Sequence, residues 1–132
     1  MGIAAVVGGV VAGEALGSRP ETPTGGPLSP CGQNPNCARA RLDLETAPDV
    51  VKRAARSVLE DVSAAEIRET ENGWTATSRV GPFTDDLEVA VVTAGSGSVL
   101  WVRSAARLGR TDLGVNARRV RRVLEAVRRR SR

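Results

Sequence analysis

The chain has 132 residues and a formal net charge of +4, and 41% of its residues are hydrophobic against 26% charged. This balance is ordinary for a soluble globular domain. The sequence contains no His and no Tyr. The absence of His excludes both the commonest general base and the commonest zinc ligand of proteins.

The positive charge is concentrated at the C-terminal end. Residues 105–132 hold ten Arg against Asp112 and Glu125, whereas the remainder of the chain holds nine basic against thirteen acidic residues. A basic C-terminal helix on a mildly acidic body would meet phosphates or anionic lipid headgroups. The alternative is a solvated helix face followed by a frayed tail.

Residues 1–16 form an apolar leader, and residues 17–30 form a linker rich in Pro, Gly, Ser and Thr. The apolar run from Ile3 to Gly13 is too short for a bilayer, which takes about 20 residues, but it suits the core of a secretory signal. Two interpretations stay open: the end of a signal or anchor helix that begins upstream, or a short leader without structure. We favour export or anchoring, followed by a flexible tether.

Two Cys residues, Cys31 and Cys37, enclose a turn-forming G-Q-N-P-N segment. Two Cys with none left over form the disulfide pattern of an exported protein, so we predict a small disulfide ring. A metal site would need ligands that the chain does not offer as His or further Cys, and we predict none. The C-x-x-C spacing of redox pairs is also absent.

Hydrophobic periodicity predicts two helices and four strands. Helical spacing of apolar residues marks 48–61, and a second helix runs from about Asn116, its expected N-cap, to the C-terminus. Asn72-Gly73 is a hairpin signal, and Gly-containing turns at 81–84 and 95–98 separate the later strands. The predicted strands are 64–70, 74–80, 85–94 and 99–105.

This order predicts one α+β domain over residues 31–132. Successive strands with short turns form a four-stranded antiparallel meander, and the N- and C-terminal helices pack on one of its faces. If they cover the face that bears Leu87, Val89, Leu100 and Val102, the opposite face is open.

The open face would display a polar platform with an aromatic floor. Its expected members lie on consecutive strands: Arg79, Asp86, Glu88, Trp101 and Arg103. Asp86 and Glu88 are also candidates for acid/base work or cation binding, although nearby Arg would lower their pKa values and oppose a general-acid role. The alternative is a ladder of surface salt bridges across the strands.

The turn after the last strand is the second candidate site. Arg forks hold carboxylates or phosphates bidentately, and a helix N-terminus favours an anion. The predicted ligand-binding residues are Arg103, Ser104, Arg107, Asp112, Asn116 and Arg119, with Gly109 and Gly114 in the turn. The alternative is a structural corner in which Asp112 and Asn116 satisfy the Arg side chains internally.

Other chemistry has little support in the sequence. Ser104 has no His or Lys beside it, and neither Gly-rich segment is a phosphate loop, since G95-S-G-S lacks the Lys and the helix that such a loop requires. We predict no cofactor and no catalytic residue. The Arg-rich helix would suit nucleic acid, but the chain has three aromatic residues and no recognised motif, which disfavours that partner.

Three segments together resemble the uncharacterised family known as domain of unknown function 1499. They are the Cys31 to Pro35-Asn36-Cys37 loop, P82-F-T-D-D-L-E88, and R103-S-A-A-R-L-G-R-T-D-L-G-V-N-A-R-R119. The similarity covers roughly residues 30–130. The chain departs from the family at Ala106, where Ser is usual, and at Ala38-Arg39, where Val-Ser-Ser often follows the second Cys.

The resemblance implies that Arg103, Ser104, Arg107, Gly109, Asp112, Gly114, Asn116 and Arg119 are signature positions. It implies no reaction, because the family has no established activity. Members often carry signal or membrane segments, in agreement with the apolar leader.

Three functional hypotheses follow. The first is a non-enzymatic, exported or membrane-tethered domain that binds a small anionic ligand or an envelope partner, with the N-terminus as the membrane contact. The second is a hydrolase-like enzyme that uses Asp86 and Glu88 with the Arg cluster. The third is a purely structural envelope module. An extracytoplasmic or membrane-associated location is favoured over a cytoplasmic one, and the sequence does not specify the oligomeric state.

Overall fold

A computed structural model describes residues 25–62, 65–107 and 114–132, together with four residues of two short N-terminal strands. Those strands, β1 (Val6–Val7) and β2 (Val10–Val11), pair with each other in antiparallel fashion. The rest of the predicted leader, residues 17–24 of the predicted linker, and Gly109 and Asp112 lie outside the described residues. No helix among the described residues is long and apolar enough to cross a membrane.

The main domain is an α+β structure built on one antiparallel sheet. Its elements in chain order are β3 (Cys37–Leu44), α1 (Pro48–Val62), β4 (Ala65–Glu69), β5 (Gly73–Val80), β6 (Phe83–Ala94), β7 (Gly97–Ala106) and α2 (Val115–Arg130). The sheet order is β3-β7-β6-β5-β4. The predicted meander of four strands is therefore present, and both predicted helices are confirmed.

The predicted strand count was wrong, because β3 adds a fifth strand. It pairs with β7, the last strand of the meander, and places Leu42 opposite Leu100. Its sequence, CARARLDL, alternates between small or apolar and charged residues, but Ala and Arg are not strong strand formers. Pairing with β7 and contact with α2 hold it as a strand, which local sequence alone did not indicate.

The predicted turns at 81–84 and 95–98 were too long by two residues each. In the structure β6 begins at Phe83 and β7 begins at Gly97, so each hairpin turns through two residues. Gly81 and Gly95 have φ values of 58° and 60°. Two-residue hairpin turns need such left-handed backbone, which Gly adopts without a steric penalty.

Both helices pack on the same sheet face and enclose one hydrophobic core. Helix α1 contributes five fully or nearly fully buried residues: Val51, Ala54, Ala55, Val58 and Leu59. Helix α2 contributes Val120, Val123, Leu124 and Val127, and the strands supply Leu87, Val89, Leu100 and Val102 to the same cluster. The predicted division of the strand residues between the two faces therefore matches the core.

The start of α2 differs from the prediction. Gly114, with φ 80° in the left-handed region, occupies the N-cap position and makes no side-chain cap. Asn116 lies one residue inside the helix and is 1% exposed. Asn116 is therefore not the N-cap, since its side chain points into the protein and bonds to other elements.

The second face of the sheet is partly covered by residues 25–30, which we call the strap. Leu28 packs against Trp101, Ala90 and Val99. The Arg39 guanidinium donates to the carbonyl of Gly25 and to that of Leu28, the latter at 3.1 Å. The end of the predicted linker is thus packed on the domain.

The predicted disulfide between Cys31 and Cys37 is present, with an S–S distance of 2.08 Å and 5.6 Å between the Cα atoms. It connects the residue after the strap to the first residue of β3. The disulfide therefore fixes the point at which the chain passes from the strap on one face into the sheet itself.

Candidate functional site

Strand β7 sends consecutive residues of the Arg-rich segment to opposite faces of the sheet. Side chains alternate along a strand, so Ser104 points toward α2 while Arg103 points to the other face. The predicted anion pocket is thereby divided. Ser104, Asn116 and Arg119 lie between the sheet and α2, whereas Arg103 and Arg107 lie on the far side, and Asp112 lies outside the described residues.

The group beneath α2 is a buried, mutually bonded network. Arg119 Nη1 donates to Asp85 Oδ2 at 2.8 Å and to Asn116 Oδ1 at 3.0 Å, and it lies 3.1 Å from Ser104 Oγ. Ser104 Oγ donates to Asn116 Oδ1 at 2.5 Å. The four side chains belong to residues no more than 8% exposed. A charge buried in this way is stabilised by its partners and is not open to a ligand from solvent.

Asn116 extends this network to the loop before β3. Its Nδ2 donates to the Asn36 carbonyl at 3.1 Å, and the backbone N–H of Ala106 donates to the same oxygen at 2.9 Å. The Asn36 N–H in turn donates to Asn34 Oδ1 at 2.9 Å. The helix, the last strand and the Cys-bounded loop are therefore joined at one point, which is the arrangement expected of a structural corner.

The far-side group consists of two ion pairs between β6 and the end of β7. Arg103 Nη1 lies 3.1 Å from Glu88 Oε1, and these two residues face each other in register. Arg107 forms a fork on Asp86, with Nη2 at 3.0 Å from Oδ1 and Nε at 3.1 Å from Oδ2. The hydrogen bonds to Asp86, and the negative charges of Asp86 and Glu66, raise the pKa of Arg107.

Each acidic residue of the P82-F-T-D-D-L-E88 segment thus bonds to one arginine of the later segment. Asp85 pairs with Arg119, Asp86 with Arg107, and Glu88 with Arg103. Asp85 was missed as a site residue when the sequence was considered alone. The alternation of β6 contained the signal, because Asp85 shares a face with the core residues Leu87 and Val89 and so needed a buried partner.

A concavity of about 290 Å³ lies on the far face, above β4 to β7. Three arginines, three carboxylates and two threonines supply its polar wall: Arg68, Arg103, Arg107, Glu66, Asp86, Glu88, Thr75 and Thr77. Arg68 is exposed and forms no ion pair with any residue that the structure describes. The site therefore combines two engaged guanidiniums with one that is available.

The bulge in β4 brings two of these side chains to the concavity. The register between β4 and β5 shifts between Ala65 and Arg68, and Glu66 has φ 56°, the left-handed conformation that residues other than Gly seldom adopt. A β-bulge places two residues opposite one and re-aims the side chains beside it. Both Glu66 and Arg68 consequently line the concavity, and neither was predicted as a site residue.

The predicted aromatic platform is corrected in two respects. Trp101 is 5% exposed, because the strap covers it and the guanidiniums of Arg39 and Arg41 lie 4.7 Å and 5.7 Å from its ring centroid. Arg79 opposes Thr84 near the end of β5, away from the concavity. Of the predicted platform, only Asp86, Glu88 and Arg103 meet at one site.

Arg39 on β3 lies opposite Arg103 on β7, which in turn lies opposite Glu88 on β6. The three charged side chains therefore form one row across this face of the sheet. Burial, followed by the positive charge of Arg103, lowers the pKa of Arg39, and the negative charge of Glu88 opposes that effect. Arg103 also donates from Nη2 to the Pro30 carbonyl at 3.5 Å. Arg39 and Arg103 therefore both bond to carbonyls of the strap, and Arg103 links the strap to the concavity.

The family described as "Protein of unknown function (DUF1499)" matches residues 27–127 of the chain. No curated protein and no solved structure matches the chain. The matched region begins within the strap and ends in α2, so it contains the disulfide, the buried network and the concavity.

Proposed function

The chain belongs to the DUF1499 family of proteins of unknown function, and we propose that it is a non-enzymatic extracytoplasmic domain that binds a small anionic ligand in the concavity on the far sheet face. The observation that carries this proposal is the position of Arg68, Arg103 and Arg107 around one opening. Arg119 and Asn116, which the sequence had placed in the anion site, are assigned to the structural corner instead.

The size and wall chemistry of the concavity support a small, polar ligand. Its volume of about 290 Å³ lies at the lower end of the range for ligand pockets. Arg68 has no carboxylate partner among the described residues, and the Thr75 hydroxyl lies on the same wall. A carboxylate or phosphate group would bond to the Arg68 fork and place its remaining oxygens toward the neighbouring residues.

The Arg107–Asp86 pair would allow exchange with such a ligand. The two side chains are 52% and 43% exposed, and ion pairs exposed to this degree contribute little to folding because solvent screens them. A ligand anion can therefore replace Asp86 on the Arg107 fork at a small cost in stability. The Arg119–Asp85 pair, at 9% and 7% exposed, offers no comparable exchange.

Two observations favour binding over catalysis. Ser104, a hydroxyl within the Arg-rich segment, is 0% exposed and already donates to Asn116. Asp86 and Glu88 each accept a hydrogen bond from an arginine. The second candidate function is hydrolysis by Asp86 and Glu88, which is favoured by their presence in one concavity with Glu66.

The Cys31–Cys37 disulfide supports the proposed location. Disulfides persist in oxidising compartments and are rare in the cytosol, and this one closes next to the strap. In an extracytoplasmic domain the ligand would reach the concavity from outside the cell membrane, on the sheet face that the strap partly covers.

Isothermal titration of the full chain with inorganic phosphate and with succinate tests the proposal. We expect Arg68→Gln to weaken binding of the better ligand by roughly tenfold or more, because a charge-assisted hydrogen bond is worth about 1.5–3 kcal/mol. Arg68 has no ion pair among the described residues, so the thermal midpoint of the variant should stay at the wild-type value.

Arg79→Gln is the matched control. Arg79 is exposed on the neighbouring strand and lies outside the concavity, so its removal changes the net charge equally without changing the site. Equal losses in the two variants, or no heat of binding for either anion in the wild type, would contradict the proposed anion site.

A further inference from the structure

We propose a second interaction surface: the outward face of α2 docks electrostatically on an anionic lipid bilayer. The face consists of Arg118, Arg121, Arg122, Arg128 and Arg129 of the helix, followed by Arg132, and we call it the α2 basic face. Glu125 is the one acidic residue among them, so six positive charges against one negative charge leave a net +5.

The basic residues of α2 lie within one narrow sector of the helix. At about 100° per residue, the five helical arginines of the α2 basic face span an arc of about 120°. The opposite side is the apolar stripe of Val120, Val123 and Val127, all 0% exposed. A helix of 16 residues is about 24 Å long, so these side chains can reach a single flat surface together.

Four arginines of this face keep an unpaired charge within the part of the chain that the structure describes. Arg121, Arg122, Arg128 and Arg129 form no ion pair there, and the buried Nε of Arg121 finds no hydrogen-bond partner. Arg130, which points out of this sector, instead donates to Ser57 Oγ and Asp61 Oδ2 of α1. The basic face thus retains guanidiniums that can bind an external anion.

Helix α1 shows the contrasting arrangement. Its outward residues include Lys52, Arg53 and Arg56, but Arg53 pairs with Asp49 and Arg56 with Glu60 at i,i+4 spacing. With Asp61 the same helix has three acidic residues to balance the three basic ones. Positive charge is therefore a specific property of the α2 face and not of the helical layer as a whole.

Charge complementarity favours an anionic bilayer as the occupant. Guanidinium forks bind phosphate oxygens bidentately, and each Lys or Arg near an anionic leaflet contributes to attraction over about a Debye length. The α2 sequence has no aromatic residue, whereas single-stranded nucleic acids are held largely by aromatic stacking. The disulfide likewise favours a compartment with membrane surfaces over one with nucleic acid.

The test is co-sedimentation of the full chain with phosphatidylcholine vesicles that do or do not contain phosphatidylglycerol. We expect wild-type protein to bind the vesicles with phosphatidylglycerol and to be released by added salt. The triple variant Arg122→Gln/Arg129→Gln/Arg132→Gln should bind at least about tenfold more weakly. Gln has nearly the helix propensity of Arg, so circular dichroism should show an unchanged fold.

The matched control is Lys52→Gln/Arg53→Gln/Arg56→Gln on α1, which removes the same net charge and should stay within about twofold of wild type. Equal losses in both triple variants would overturn the proposal, because binding would then follow net charge alone. Equal binding to neutral vesicles, or no binding to anionic ones, would also overturn it. If the wild-type protein bound a DNA duplex more tightly than the anionic vesicles, and only the α2 variant lost that binding, the face would be assigned to nucleic acid.

Discussion

Arg119 on α2 and Asp85 on β6 form a buried ion pair of 2.8 Å between the helix and the sheet. Asp86, the next residue along β6, bonds instead to Arg107 on the opposite face. Two adjacent carboxylates therefore make two ion pairs with different surroundings. The buried pair joins helix to sheet, and the exposed pair borders the concavity.

Replacement of these neighbouring carboxylates should have very different effects on stability. Asp85→Ala leaves the Arg119 guanidinium buried without its carboxylate, and we expect the free energy of unfolding to fall by about 3–5 kcal/mol. Asp86→Ala breaks an exposed pair and should cost about 0–1 kcal/mol. Urea denaturation of both variants measures the difference, and similar losses in the two would contradict the assignment of Asp85 and Arg119 to a structural corner.

A substitution at Asn116 distinguishes the buried network from a helix cap. Ser is as good as Asn at an N-cap, so a capping Asn116 would tolerate Asn116→Ser. In the structure the amide bridges Ser104, Arg119 and the Asn36 carbonyl, and the shorter Ser side chain cannot reach all three. We expect a loss of about 1–3 kcal/mol, measured by chemical denaturation.

Arg122→Ser on the exposed side of α2 is the control for helix propensity, and it should cost less than about 1 kcal/mol. If Asn116→Ser were no more destabilising than Arg122→Ser, the hydrogen bonds of Asn116 would make no measurable contribution to stability.

Removal of the disulfide should loosen the strap as well as lower stability. Cys31 and Cys37 close a short loop, for which chain entropy gives about 2 kcal/mol. We expect Cys31→Ser/Cys37→Ser to lose about that much in denaturation experiments. It should also increase quenching of Trp101 fluorescence by acrylamide, measured in a Trp74→Phe background so that Trp101 is the one tryptophan left.

The reverse background, Trp101→Phe, reports on Trp74 and should show little change in quenching when the disulfide is removed. If Trp101 remained as protected without the disulfide as with it, the contacts from Arg39 to the strap would be enough to hold the strap in place.

The sequence predicted those parts of the fold that depend on local periodicity. Helical spacing identified both helices, and alternation assigned Leu87 and Leu100 to the core face. Strand β3 was missed because its Ala and Arg residues become a strand only through pairing with β7. Strand register and the position of the strap are properties of the folded chain, and for that reason the burial of Trp101 was not anticipated.

The candidate site was predicted in part for the same reason. The correct residue types were identified in both motifs, but the sequence does not say which arginine meets which carboxylate. That pairing depends on the register of β6 with β7, which places Glu88 opposite Arg103, and on the packing of α2 above them. Arg68 and Glu66 were not identified, since a bulge turns them toward the concavity.

The most direct test of the anion site is a titration of the ¹⁵N-labelled full chain with inorganic phosphate and with succinate, followed by amide and Arg side-chain chemical shifts. We predict saturable shifts at Arg68, Thr75, Arg103 and Arg107, with residues of the buried corner, such as Asn116 and Arg119, unchanged. Shifts concentrated at Gly114 to Arg119 would place the anion at the start of α2 and contradict the assignment of that segment to structure. No saturable shift with either anion would contradict the binding site itself.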